Sequence, residues 1–156
     1  YGTYNRDYVM PQPAPLKTAL LEPSGILSTI WRRWFHSVGQ SGYVDRGDPS
    51  AYDWTHADLT EDGTWRDLDL SSIIPETAKL VHLRVIVQDD AASSSLALRE
   101  NGNSNLHNGN AVRTQAPDIV NEGEVLVKPD KNRKIEYNAT NTTWTLINIV
   151  VRGWFL

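Results

Sequence analysis

Residues 81–88 read VHLRVIVQ, and this stretch decides the fold class. Apolar residues stand at every second position, and polar residues stand between most of them. This period of two predicts a β-strand with one buried face, because successive side chains of a strand point to opposite sides of a sheet. The same period recurs in four later segments. The apolar positions are Val81, Leu83, Val85 and Val87, then Leu96 and Leu98, Val125 and Val127, Ile135 and Tyr137, and finally Ile147, Ile149 and Val151.

Turn-forming residues separate these segments. Asp-Gly, Asn-Gly and Pro-Asp steps favour tight turns, and no helical pattern lies between the predicted strands. Several short strands without crossover helices predict an all-β fold, a β-sandwich or jelly-roll-like domain, rather than an α/β sheet. The breaks are Glu61-Asp62-Gly63, Asp89-Asp90, Asn101-Gly102-Asn103, Asn108-Gly109, Asn121-Glu122-Gly123 and Pro129-Asp130.

The front of the chain has a different composition. Residues 1–15, YGTYNRDYVMPQPAP, carry three tyrosines and three prolines, and X-Pro steps favour extended backbone over helix. We expect an extended arm that is either disordered or ordered along another protein surface, with Tyr4, Tyr8 and Met10 as contacts.

One helix is predicted after the arm. Ile26, Ile30, Trp34 and Val38 recur every fourth residue beside a second row of Leu27, Trp31 and Phe35, so that one side of a short amphipathic helix is apolar. Ser28 is a plausible N-cap and Gly39 a plausible stop, with Arg32, Arg33 and His36 facing outward. The apolar side either covers the core of its own chain or docks on another subunit. The predicted docking residues of this helix are Ile30, Trp31, Trp34 and Phe35.

These patterns predict two parts, an arm with a docking helix over residues 1–40 and a β-sandwich domain over residues 41–156. The 156-residue chain has no cysteine, which excludes disulfides and thiolate metal sites. A net charge of -4 and a pI near 5.5 argue against nucleic acid as the main partner. No apolar run approaches the roughly 18 residues that a membrane helix needs, and no signal peptide is visible. We therefore expect no membrane insertion.

Candidate chemistry is sparse. Residues 58–69 loosely follow the spacing of a calcium loop, but Thr60 and Arg66 occupy ligand positions, so a hairpin turn is favoured over a metal site. The four histidines lack zinc spacing, and no nucleophile elbow is present. A Gly/Asp turn explains Arg46-Gly47-Asp48 without a receptor. The two Asn-X-Thr acceptors, at Asn138 and Asn141, are glycosylated only in a secretory pathway, which no other feature supports, so we expect both to be unmodified. We expect no enzyme activity, no metal and no cofactor.

The loop NGNSNLHNGN, residues 101–110, is the best candidate for ligand binding. Asparagine amides both donate and accept hydrogen bonds, which suits sugar hydroxyl groups. A glycan-binding loop would use Asn105, His107 and Asn108, and the alternative is a flexible polar loop without a ligand.

Two stretches resemble proteins of tailed bacteriophages. Residues 23–35, PSGILSTIWRRWF, are similar to a short N-terminal segment of phage structural proteins, in which a Pro-x-Gly turn precedes a Trp-x-x-aromatic helix. Residues 62–75, DGTWRDLDLSSIIP, resemble small jelly-roll domains of phage tails and fibres. The resemblance implies a place in the virion, with a role in particle assembly or host-surface attachment rather than catalysis.

The leading hypothesis is therefore a non-enzymatic virion structural protein with a fibre, adaptor or decoration role. It would dock through its front part on copies of itself and on other virion proteins. The alternative is a carbohydrate-binding, lectin-like module that attaches to a host-surface glycan. A third class, a secreted hydrolase, would need carboxylates or a catalytic triad converging in a cleft.

Overall fold

The computed structural model describes residues 14–15, 17–21, 26–38 and 42–156, with side chains for all of them except 36–38. The chain divides into two compact units, one formed by residues 1–42 with Leu156 and the other by Tyr43–Phe155. Most of the predicted arm, including Tyr4, Tyr8 and Met10, lies outside the described residues.

In the first unit, the described residues contain one α-helix, α1, spanning Thr29–Val38. Ser28 directly precedes it, as predicted, and its carbonyl accepts the first helical hydrogen bond from the amide of Arg32 at 2.9 Å. The Ser28 hydroxyl is buried without a hydrogen-bond partner among the described residues, so it does not cap the helix with its side chain. The amide of Ser28 instead donates to the carbonyl of Leu20 at 3.0 Å, which joins the helix start to the preceding segment.

The second unit is an all-β sandwich of two antiparallel sheets. A short 3₁₀ helix, His56–Asp58, follows the second strand. The strands are β1 (Tyr43–Asp45), β2 (Trp54–Thr55), β3 (Arg66–Asp69), β4 (Leu80–Gln88), β5 (Ser95–Glu100), β6 (Asn110–Arg113), β7 (Asn121–Val127), β8 (Lys134–Ala139) and β9 (Leu146–Phe155).

The order of the strands is jelly-roll-like. One sheet runs β1-β9-β4-β7 with β2 also paired to β9, and the other runs β3-β8-β5-β6. If β1 and β2 are counted as one interrupted edge strand, each sheet has four strands. The chain then passes between the two sheets in the order of a jelly roll, which consists of two Greek keys. The first strand therefore pairs with the last, Tyr43 opposite Phe155.

The core lies between the two sheets. All the apolar positions selected by the period of two are buried, and those of β4 and β9 are completely inaccessible to solvent, which confirms the predicted inward faces. Leu68, Leu70, Ile74 and Trp144 complete the same cluster. A register shift in the pairing of β4 with β9 falls between His82 and Leu83. It changes which residues of β9 face outward near the end of the chain.

The predicted hairpin at residues 58–69 is wrong. Strand β2 belongs to the first sheet and β3 to the second, so this segment crosses between sheets instead of returning along one of them. Acidic side chains accept local backbone hydrogen bonds in and beside this segment. Asp58 accepts from the Thr55 amide at 2.9 Å, and Asp69 accepts from the Ser71 amide at 2.8 Å. Asp62 pairs with Arg66. Each carboxylate is thus held by its own neighbours.

Candidate binding surfaces

Trp31, Trp34 and Phe35, three of the four predicted docking residues of α1, form one aromatic cluster. The ring centroid of Trp31 lies 5.4 Å from that of Trp34 and 5.7 Å from that of Phe35. The Trp31 indole donates to the carbonyl of Thr18 at 2.9 Å, so one tryptophan is anchored within its own unit. Ile30 and Phe35 remain 51% and 50% exposed, respectively. The helix therefore offers an apolar side that its described surroundings cover only in part.

The predicted glycan loop connects β5 to β6. Asn105, His107 and Asn108 are all exposed there, and none of the three side chains makes a hydrogen bond within the described part of the chain. A backbone bond from the amide of Gly109 to the carbonyl of Leu106, at 3.0 Å, shapes the tip. The loop thus brings the three residues together on the surface without assigning them a structural role.

A more organised surface lies on the outer face of the five-stranded sheet. Tyr43 on β1 reaches across β9 to His82 on β4, with 3.2 Å between the phenol oxygen and Nδ1. His82 Nε2 is 2.7 Å from one carboxylate oxygen of Glu124 on β7, and Arg152 donates to the other oxygen at 2.6 Å. Four strands thus contribute to one hydrogen-bonded chain of side chains.

Gly153 makes this arrangement possible. A Cβ atom at Gly153 would lie 2.3 Å from the backbone carbonyl oxygen of Val44 and 2.5 Å from the phenol oxygen of Tyr43, so only glycine lets β1 and the tyrosine ring lie this close to β9. Glycine is otherwise unfavourable inside a strand and often marks a close approach. The ring also packs against Phe155, with 5.2 Å between centroids.

Burial and nearby charges shift the pKa of the Tyr43 phenol. Partial burial raises the pKa of Tyr43, and the nearby carboxylates of Asp45 and Glu124 raise it further, while Arg152 opposes them. The phenol therefore keeps its proton at neutral pH and can donate a hydrogen bond. Tyr43 and its neighbours line a hollow of about 480 Å³, here called the Tyr43 hollow. Its lining residues are Tyr43, Asp45, His82, Glu124, Leu126, Arg152 and Phe155.

A second hollow adjoins the first and shares Asp45 and Arg152 with it. This Tyr52 hollow, of about 660 Å³, lies between the loop that interrupts the edge strand and the outer face of β4, β7 and β9. Tyr52 stands on that loop, and Arg84 donates to Glu122 at 2.6 Å on the sheet side. The lining residues are Asp45, residues 47–52, Arg84, Glu122, Val150, Val151 and Arg152.

The interrupting loop, residues 46–52, is tied down at its base. Arg46 pairs with Asp53, and the same Asp53 oxygen accepts from the backbone amide of Val151 at 2.8 Å. The guanidinium of the Arg46-Gly47-Asp48 tripeptide is therefore engaged inside the protein. Similarly, the amide nitrogens of Asn138 and Asn141 donate to the Gly63 carbonyl and to the Asp89 carboxylate, at 2.6 and 2.5 Å.

No sequence pattern predicts either hollow. Tyr43, His82, Glu124 and Arg152 are far apart in the chain, and no spacing links them. A sequence signal that could have pointed to this surface is Gly153, a glycine inside an otherwise strong strand pattern, because such a glycine often marks a close approach of the backbone.

Among the described residues, no helix has the length and apolar character to cross a membrane, and no three His, Asp or Glu side chains gather as a metal site would require. No protein-family model matches the chain, and no curated protein is found as a relative.

Proposed function

We propose that this protein is a non-enzymatic structural component of a tailed-phage particle. The unit at its front docks on other copies of the chain and on neighbouring virion proteins, and the jelly-roll-like unit is displayed. The two-part organisation supports this proposal, because the β-sandwich has its own complete core and does not need the front unit to build one. Jelly rolls occur in viral capsid proteins and in lectins, so the fold is compatible with the role without determining it.

The single observation that carries the proposal is the half-exposed apolar side of the front unit. Ile26, Ile30 and Phe35 are each at least half exposed, beside an aromatic cluster. Exposed apolar groups placed side by side gain free energy when another protein covers them. In a symmetric oligomer, the surface of a second copy of the chain can cover these groups.

Mass measurements in solution test the docking role. We expect the full chain to form oligomers, and the double variant Ile30→Glu with Phe35→Glu to shift toward the monomer, because two charges would enter the apolar contact. The exposed Arg33 on the same helix provides the control: Arg33→Gln should leave the mass distribution unchanged. A wild-type chain that stays monomeric over a wide concentration range would contradict the proposal.

A second candidate function is glycan binding, as in a lectin-like module that attaches to a host surface. Support comes from the exposed and unpaired Asn105, His107 and Asn108 within the described loop. A panel of immobilised glycans tests it, with the triple variant of these residues to alanine. Loss of binding in that variant would place the glycan on the loop.

A further inference from the structure

We infer that the outer face of the five-stranded sheet binds a neutral oligosaccharide, with one sugar ring in the Tyr43 hollow and the next in the Tyr52 hollow. The inference rests on the second candidate function, glycan binding, but assigns it to a different surface from the loop at residues 101–110. It also specifies the charge and the minimum length of the ligand.

The two hollows have matching composition. Each contains one tyrosine that is 42% exposed, and each contains an arginine–glutamate pair on the sheet. The pair is Arg152 with Glu124 in the first hollow and Arg84 with Glu122 in the second, at 2.6 Å in both cases. Their volumes fall in the range of small-ligand sites. Because they share Asp45 and Arg152, a ligand in one can continue into the other.

The chemistry of the lining suits a pyranose ring. A sugar has an apolar C–H face that packs on an aromatic ring, and hydroxyl groups that both donate and accept hydrogen bonds. Tyr43, Phe155 and Leu126 provide exposed apolar surface in the first hollow. Carboxylate oxygens accept from hydroxyl groups beside them, and guanidinium groups donate to them. A purely apolar ligand would displace water from these charged groups without offering them hydrogen bonds in return.

The lining is held in place before any ligand arrives. Both ring nitrogens of His82 are engaged, one by the phenol of Tyr43 and the other by Glu124. Both oxygens of Glu124 are engaged as well, by His82 and Arg152. These side chains project from β-strands, which position ligand contacts more precisely than loops do. Because these side chains are already fixed, binding a ligand should cost little side-chain entropy.

The charge of the lining selects among saccharides. Asp45, Asp48, Glu122 and Glu124 contribute four carboxylates, against the two guanidinium groups of Arg84 and Arg152. The other titratable groups in the hollows are His82, Tyr43 and Tyr52. Excess negative charge repels sialylated, sulfated or phosphorylated sugars. Neutral hexose or N-acetylhexosamine chains are therefore the expected class.

The test uses the full chain on a panel of neutral hexose and N-acetylhexosamine oligomers of one to six residues, together with sialylated and sulfated glycans. Titration then compares wild type with Tyr52→Ala, Tyr43→Phe and Arg152→Ala. Tyr52→Ala removes an exposed ring from a loop, so it should leave the fold intact, and melting temperatures check this for every variant. Ile119→Ala, an exposed apolar residue outside both hollows, is the matched control.

We expect oligomers of two or more residues to bind at least tenfold more tightly than the monosaccharide, and anionic glycans to bind more weakly than neutral ones. Tyr52→Ala and Arg152→Ala should each weaken binding about three- to tenfold. Ile119→Ala and the loop triple variant should bind like wild type. If the loop variant alone loses binding, glycan binding stands and the sheet-face site is wrong. If no glycan binds, both the second candidate function and this inference fail.

Discussion

At the scale of single residues, the buried carboxylate of Asp89 has the most demanding environment. It follows β4, it is fully buried, and one of its oxygens accepts from the Ser94 hydroxyl and from Asn141. Its other oxygen has no partner among the described residues. Burial raises the pKa of Asp89, but the hydrogen bonds from Ser94 and Asn141 act in the opposite direction, and the pKa lies below its ordinary value.

Replacing this carboxylate should change both stability and its dependence on pH. A lowered pKa means that the ionised form stabilises the fold above the ordinary aspartate pKa of 3.8, and that this stability is lost as the pH falls through the folded-state pKa. We expect Asp89→Asn to lower the free energy of unfolding at pH 7 by about 1–3 kcal/mol. Urea denaturation between pH 7 and pH 3 should show a smaller decline for the variant than for wild type.

The exposed Asp48 provides a control for this measurement. Its side chain makes no hydrogen bond within the described part of the chain, so Asp48→Asn should follow the wild-type pH profile. A wild-type chain and an Asp89→Asn chain with parallel pH profiles would show that Asp89 is not the ionised, stabilising group inferred here.

At the scale of elements, the edge strand of the first sheet is interrupted, yet both of its parts pair with the same strand. Strands β1 and β2 both pair with β9, on either side of the loop that carries Tyr52. The loop base depends on Asp53, which joins Arg46 to the backbone of β9 and is only 9% exposed as a side chain. This one carboxylate therefore connects the wall of the Tyr52 hollow to the sheet.

Two arginine–aspartate ion pairs in this protein differ in burial, Arg46 with Asp53 and Arg66 with Asp62. Asp53→Ala should lower the free energy of unfolding by about 1–3 kcal/mol, because it leaves the Val151 amide and a half-buried guanidinium without their acceptor. Asp62 also pairs with an arginine, Arg66, and accepts from the Thr64 amide at 3.0 Å, but both charged side chains are exposed, so Asp62→Ala should lower the free energy of unfolding by less. Denaturant titration of the two variants decides the comparison, and equal losses would contradict it.

At the scale of the whole molecule, the two ends of the jelly-roll-like unit meet. Tyr43 pairs with Phe155, and β3 pairs with β8 although four strands separate them in the chain. Such distant pairings require long loops to close before their contacts form. The fold therefore depends on its last strand, β9, which lies between the edge strand and β4.

Folding should accordingly be slow for a domain of this size. We expect refolding from urea to take milliseconds to seconds, as in other all-β domains dominated by distant contacts. Stopped-flow tryptophan fluorescence measures this rate, because Trp54, Trp144 and Trp154 pack in or against the core. Refolding complete within microseconds would contradict the dominance of distant strand pairing.

The sequence by itself determined the inward faces of β4, β5, β7, β8 and β9 and where the helix starts, whereas the buried Leu68 of β3 and Val112 of β6 lie in strands that no period of two had predicted. Val81, Leu83, Val85 and Val87 show why: the alternation of side chains is a property of the extended backbone, so it can be read locally. The tertiary structure alone decided which strands are neighbours. The segment at residues 58–69 crosses between sheets, and Tyr43, His82, Glu124 and Arg152 meet on one face, because strand order depends on the packing of the two sheets rather than on any local period. The same limit applies to the hollows, which exist only where distant strands lie side by side.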